Sequence, residues 1–210
     1  MKKLIRTLAV EPTCLSNLCH TTHTWENMTT KKKKKVWEEL DKFQDKKCVY
    51  CESNAPRGRE TGHIEHFFDR SNFENLTFEW NNLFGCCISN IHCGHYKDQI
   101  LPNGSRRSYD HNLLIKADID DPEEYLQFLP NGKIIERNGI SNNMRKKAEE
   151  TIRALCLNAP SLEQSRKAQI ERYKKKVTAV FKFLESDNEE TVDFAMVEYN
   201  KIKQDAATAE

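Results

Sequence analysis

Cys48-Val49-Tyr50-Cys51, then Gly62-His63-Ile64-Glu65-His66, then Cys87 and Cys93 form the stretch that decides the fold of this chain. A Cys-x-x-Cys turn can set two sulfurs on one tetrahedral ion at about 2.3 Å, and a second pair from later sequence closes the site. Cys48 and Cys51 are one half. Cys87 and Cys93 are the expected other half, with Cys86 a possible substitute because the gap between them is wider than usual. A structural Zn²⁺ is the expectation, against a set of buried thiols without metal.

Glu65-His66 is the expected chemical centre inside that frame. Hydrolysis of a phosphodiester needs a base for water and a cation to neutralise charge on the phosphate and the departing oxygen. A histidine supplies the base near neutral pH, and a carboxylate is a hard ligand for Mg²⁺ or a similar ion. Neighbours on a regular strand point to opposite faces, so Glu65 and His66 share a site only where the strand ends or bends. His63 and Glu65, two apart, share a face without distortion, which makes His63 a second candidate ligand or a supporting residue.

Outward from this centre, Gly62 to Phe68 reads as a strand, Phe78 to Phe84 as a second extended segment, and the stretch after Cys87 as a helix. The order is β, β, α. Thr29 or Thr30 can cap a helix from Lys31 to Gln44, with Val36, Leu40 and Phe43 on one face. The run Lys31 to Lys35 reads as a solvated face, with a phosphate-binding patch as the alternative. Asn131-Gly132 between Tyr125 to Leu129 and Lys133 to Glu136 predicts a hairpin. After Ile140 come three helical patterns, the second capped by Ser161 with Gln164 and the third by Asp187 or Asn188. Together they predict a small bundle or docking platform. The expected division is a lead-in segment (1–47), a metal-binding module with its hairpin (48–140) and a helical region (141–210).

Composition fits a folded chain: 210 residues, 38% hydrophobic, net charge +1. Residues 1–107 carry 17 Lys+Arg and 13 Asp+Glu while residues 108–210 carry 16 and 19, so the basic side lies with the cysteines. That asymmetry permits nucleic-acid binding without demanding it. Eight cysteines with no export signal predict a reducing, cytoplasmic setting, and no stretch is apolar enough for a membrane span. A redox role for Cys48 and Cys51 is disfavoured by the lack of a surrounding βαβ pattern. Cys14, Cys19, His20 and His23 are ligand types whose spacing matches no common paired knuckle, and Cys156 reads as a core thiol.

Cys48-x-x-Cys51, Ile64-Glu65-His66-Phe67, Trp80-Asn81-Asn82-Leu83, Cys87, Cys93 and Lys97-Asp98 together resemble an HNH endonuclease of the ββα-metal class, an α+β fold. More narrowly, Glu11-Pro12-x-Cys14-Leu15, Cys48-Val49-Tyr50-Cys51-Glu52 and Phe78 to Phe84 resemble the HNH subunit PtuB of Septu-type antiphage systems, which also occurs in some retron defence systems. The resemblance covers about residues 1–137. It implies His66 as general base, Glu65 as ligand of a catalytic Mg²⁺ or Mn²⁺, and Asn82 as the residue that braces the loop and orients the base. For the last metal ligand, where such proteins carry Asn directly after the final cysteine, this chain has Gly94. His95 is the expected replacement, with Asn90 and His92 as alternatives. Lys97 is expected either to meet a phosphate or to be a solvated helix residue. The implied partners are nucleic acid, with DNA ahead of RNA, the Septu-type ATPase PtuA docked on the acidic helical region, and in a retron a reverse transcriptase with its RNA–DNA product. A zinc-stabilised adaptor without catalysis is the alternative.

Overall fold

The structure, a computed structural model, describes residues 1–55 and 61–208. Helix α1 (Thr30–Gln44) begins where Thr29 Oγ1 accepts a hydrogen bond from the Lys32 amide at 3.4 Å. Val36, Trp37, Leu40 and Phe43 are buried, the spacing of one apolar helical stripe. The helix ends in two left-handed residues, Asp45 (φ 50°) and Lys46 (φ 58°), which turn the chain towards Cys48.

Strands β1 (Gly62–His66) and β2 (Leu83–Cys87) pair antiparallel, with Gly62 opposite Cys87, His63 opposite Cys86, Glu65 opposite Phe84 and His66 opposite Leu83. The Gln44 side chain clamps β2 to α1. Its Nε2 donates to the Gly85 carbonyl (2.9 Å) and its Oε1 accepts from the Gly85 amide (2.8 Å). Gly85 is required there, because a Cβ would lie 2.6 Å from the Trp37 ring. Five-residue helix α2 (Cys93–Lys97) follows, entered through Cys93 at φ 63°.

The expected second extended segment, Phe78 to Phe84, is corrected. Trp80–Asn82 is a 3₁₀ turn and the strand starts only at Leu83. At this boundary the Arg6 guanidinium donates to the Trp80 carbonyl (3.0 Å) and to the Leu83 carbonyl (3.1 Å), on the side of β2 away from β1. Rings of Phe43, Trp80 and Phe84 surround that guanidinium at 4.4–4.9 Å.

Strands β3 (Leu126–Phe128) and β4 (Ile134–Glu136) form the expected hairpin, with Gly132 at φ +88°. Helix α3 (Asn142–Ala154), capped by Ser141, buries Ala148, Thr151 and Ala154, and the Leu155 carbonyl accepts from the Cys93 amide at 2.8 Å. The chain divides into two compact units, Met1–Gln127 with Ile134–Ala159, and Phe128–Lys133 with Pro160–Glu210. Thus α3 lies in the same unit as the metal-binding residues, and the two helices after it lie with the hairpin tip in the other.

In the second unit, α4 (Pro160–Leu184) starts at Pro160, so Ser161 lies in the first turn instead of capping it. Asn188 precedes α5 (Glu189–Thr208) and its Oδ1 accepts from the Thr191 amide at 3.2 Å. Tyr173 meets Asp205 and Phe181 stacks on Tyr199, which makes α4 and α5 an antiparallel pair. The hairpin tip rests on α4, since a Cβ on Gly132 would strike the Glu163 carbonyl.

Candidate active site

Cys48, Cys51, Cys87 and Cys93 converge, their Sγ atoms all within 4.8 Å of one another. Four sulfurs around a tetrahedral ion at about 2.3 Å would stand about 3.8 Å apart, and Cys51 and Cys87 are 3.9 Å apart. The turn is built by the Glu52 amide bonding to the Cys48 carbonyl (3.0 Å), with Glu52 left-handed at φ 64°. The Val49 amide ties it to β2 through the Gly85 carbonyl (3.0 Å). All four cysteines are free thiols, so this donor set fits a structural Zn²⁺. Contacts with Cys87 and Cys93 outweigh the opposing effect of Cys48 and bring Cys51 down to about 6. Cys86 stands beside the cluster, 3.6 Å from Cys48 Sγ, and burial pushes its thiol up to about 12.

Strand β1 stays regular through His66, so Glu65 and His66 point to opposite faces. Glu65 is buried. Its Oε2 lies 3.0 Å from His63 Nε2, and its Oε1 lies 3.1 Å from both Lys97 Nζ and the donating Tyr50 hydroxyl. Burial raises its pKa, but the Lys97 ammonium and His63 outweigh this and hold the carboxyl at about 2. It is therefore an anion at neutral pH.

On the other face, His66 is buried beneath the edge of Trp25, ring centroids 4.4 Å apart. Its Nε2 stands 3.0 Å from the Thr77 carbonyl, which only accepts, so Nε2 carries the proton and Nδ1 keeps a lone pair. Burial and the nearby Arg70 lower its pKa to about 4. Lys33 and Arg70 both approach the Trp25 ring, at 5.7 and 5.8 Å.

Asn82 spans the loop between the strands. Its Oδ1 accepts from the Phe68 amide (2.8 Å), and its Nδ2 donates to the carbonyls of Phe68 and Leu76 (both 3.0 Å). Lys97 is fully buried, and besides Glu65 it bonds to Asp98 and to the carbonyls of His66 and Phe67. This corrects both expectations for it: the ammonium faces inward, towards neither a phosphate nor solvent.

His95 is exposed and stacks on His63, centroids 4.0 Å apart, with Nδ1 at 3.3 Å from the Ile88 carbonyl. Asn90 is exposed, and His92 turns towards the thiols, its Nδ1 3.1 Å from Cys93 Sγ. Among the described residues, the ligand group that contains Glu65 is His63, Glu65 and Cys86, without any of these three. Gly94 is pressed against Glu65, and a Cβ there would fall 2.2 Å from Oε2. Trp25, Arg70 and the pair Asp69–His111, whose Oδ2 and Nε2 are 2.7 Å apart, carry no signal in the sequence. No linear motif marks them, because the loop fold brings them together. Cys14, Cys19, His20 and His23 form no ligand group among the described residues.

The chain is similar to a protein of Vibrio cholerae serotype O1 biovar El Tor named as a candidate HNH endonuclease of retron Vc95, with 28% identity over 141 residues. That match covers 67% of this chain, which spans only about 65% of the length of the curated relative. No family model matches the chain. Among the described residues no helix is long and apolar enough to cross a membrane.

Proposed function

We propose that this chain is a metal-dependent HNH endonuclease that cuts nucleic acid as the effector of a retron-type or Septu-type antiphage system. The similarity to a protein named for retron Vc95 supports the setting. The observation that carries the chemistry is that β1 ends on a buried histidine with an available nitrogen, preceded by a buried, charged carboxylate on the strand's other face, while four thiols converge at the opposite end of the same sheet.

In this reading the four thiols hold Zn²⁺ and act as a brace. His66 Nδ1 accepts the proton of the attacking water; the hydrogen bond from Nε2 to the Thr77 carbonyl holds the ring in the tautomer that leaves Nδ1 free. The low pKa of His66 keeps it neutral at cellular pH. Asn82 fixes the loop that carries Thr77 and thereby positions His66. A divalent ion held by Glu65, Mg²⁺ or Mn²⁺ as the resemblance implies, would neutralise charge developing on the phosphate and on the departing 3′ oxygen, and would have to meet them around the end of β1, because Glu65 and His66 leave that strand on opposite faces. Lys33 and Arg70, around Trp25, stand where a phosphate backbone would approach His66. A nuclease of this kind needs restraint, which the ATPase PtuA would supply in the cytoplasm, joined in a retron by the reverse transcriptase and its RNA–DNA product.

A second reading, a zinc-stabilised adaptor that binds without cutting, is favoured by one observation: Glu65 is already neutralised by Lys97, and Gly94 offers no ligand. Incubation of the protein, alone and with the ATPase, with DNA and RNA plus Mg²⁺, Mn²⁺, Zn²⁺ or Co²⁺ separates the two. Cutting that His66→Ala abolishes supports the nuclease. Equal cutting by that variant removes His66 as base, and no cutting under any partner condition favours the adaptor.

A further inference from the structure

We propose that His63, Glu65 and Cys86 form a second metal site, adjoining the four-cysteine cluster but sharing no ligand with it, and that it takes a borderline transition ion such as Zn²⁺, Co²⁺ or Fe²⁺ in preference to Mg²⁺. Its part in catalysis rests on the nuclease reading above, whereas its capacity to bind an ion does not.

The sheet register builds the site. His63 lies directly opposite Cys86 across the β1–β2 ladder, and Glu65 is two residues along β1 on the same face. Side chains directly opposite on paired strands stand on one face with Cβ atoms about 5 Å apart. Three donors of different kinds, imidazole nitrogen, carboxylate oxygen and thiol sulfur, therefore meet without any loop having to move. Their ligating atoms all lie within 4.8 Å of one another.

Three further observations point the same way. His63 Nδ1 is buried without a hydrogen-bond partner, unlike a histidine satisfied within a core. Lys97 and Tyr50 occupy Glu65 Oε1 and leave Oε2 facing His63. The backbone of α2 closes on Glu65 so tightly at Gly94 that a side chain from that position is excluded, and the donors gathered around Glu65 are His63 and Cys86 from the two strands.

The donor set decides the ion. Mg²⁺ demands octahedral oxygen ligands and keeps much of its water, and a thiol at this position offers it nothing. Nitrogen and sulfur donors favour the later divalent metals. Cys86 is thus a specificity residue: it belongs to neither the brace nor the hydrolytic pair, and it sets which ion Glu65 can share.

The 210-residue chain, with zinc already in the four-cysteine cluster, is titrated with Co²⁺ and followed by absorption and by metal content. The expected result is a second equivalent with a thiolate-to-cobalt charge-transfer band. Cys86→Ser removes that band, and His63→Ala weakens binding of the second equivalent by at least about tenfold. Both variants retain the first zinc equivalent, which reports that the fold is intact, and His63, being partly exposed, is the substitution least able to unfold it. A single metal per chain in the wild type would overturn the proposal, as would survival of the band in both variants or displacement of Co²⁺ by equal Mg²⁺. A second equivalent bound as described, in a protein that cuts nothing with any partner, would instead sink the nuclease reading and leave the site standing.

Discussion

Lys97 and Glu65 form a buried ion pair, Nζ to Oε1 at 3.1 Å, with side chains 0% and 3% exposed. Both charges have left water, and the arrangement is tolerable because each is further satisfied: Lys97 by Asp98 and two backbone carbonyls, Glu65 by Tyr50 and His63. Deleting one partner strands the other. Lys97→Ala is expected to cost about 3–5 kcal/mol in unfolding free energy, the usual penalty for an uncompensated buried charge. The double variant Lys97→Ala with Glu65→Gln should cost clearly less than the sum of the two single changes. Urea denaturation of the four proteins checks this, and simple additivity would mean that the pair is not coupled.

Asn82 offers a narrower test of the loop. Its side chain makes three hydrogen bonds to the backbone at Phe68 and Leu76, each worth about 1 kcal/mol net. Asn82→Ala is therefore expected to lose about 2–3 kcal/mol of stability. The His66 imidazole, held through the same loop at Thr77, should show a shifted NMR titration in that variant. An unchanged titration with lowered stability would leave Asn82 a purely structural brace.

How much of this was legible beforehand depends on the distance over which each signal acts. Helix α1, the β3–β4 hairpin and the cap at Asn188 were readable because caps and Asn-Gly turns are encoded within a few residues. So was the convergence of Cys48, Cys51, Cys87 and Cys93. The late start of β2 was not, because the contacts at that boundary come from far along the chain, with Arg6 reaching the carbonyls of Trp80 and Leu83. Neither was the fate of Lys97. Nothing in Lys97-Asp98 as a dipeptide says that a lysine will be driven into the core by a glutamate on a strand 32 positions earlier. The face rule for neighbours on a strand did point to His63 with Glu65, and Cys86 followed only once the register was known.

The four-cysteine cluster should be indispensable to the first unit. Extensive dialysis is expected to leave tightly held zinc, which a strong chelator removes, and Cys51→Ser should lower the thermal midpoint along with zinc content. Metal analysis alongside differential scanning calorimetry reads both. A midpoint indifferent to zinc removal would show the thiols to be ordinary core residues.

Since Lys97 is buried, the phosphate-facing charge must come from elsewhere, and Arg70 is exposed where it approaches Trp25 above His66. Arg70→Glu is expected to weaken binding to DNA or RNA of any sequence and to reduce the salt dependence of the affinity by about one charge. Fluorescence anisotropy across a salt series measures this. Unchanged affinity and slope would place the nucleic acid on another surface.

Asp69 and His111 supply the pH test. Burial works against the Asp69 carboxylate, but its bonds to Asn72 and to His111 outweigh that and hold its pKa below the usual 3.8. A depressed folded pKa means that the unfolded chain binds the proton more readily. The stabilisation is then fully present above about pH 4 and is lost as pH falls through the folded value. Asp69→Asn should therefore be less stable than the wild type at neutral pH, and the gap between their unfolding free energies should narrow as pH drops below about 4. His111 is one of the groups that favour the charged carboxylate, so His111→Ala should show a smaller deficit that narrows over the same range. Urea midpoints taken from pH 7 down to pH 3 give the answer, and a gap independent of pH would mean that Asp69 stabilises the loop by shape and neutral hydrogen bonds, without its charge.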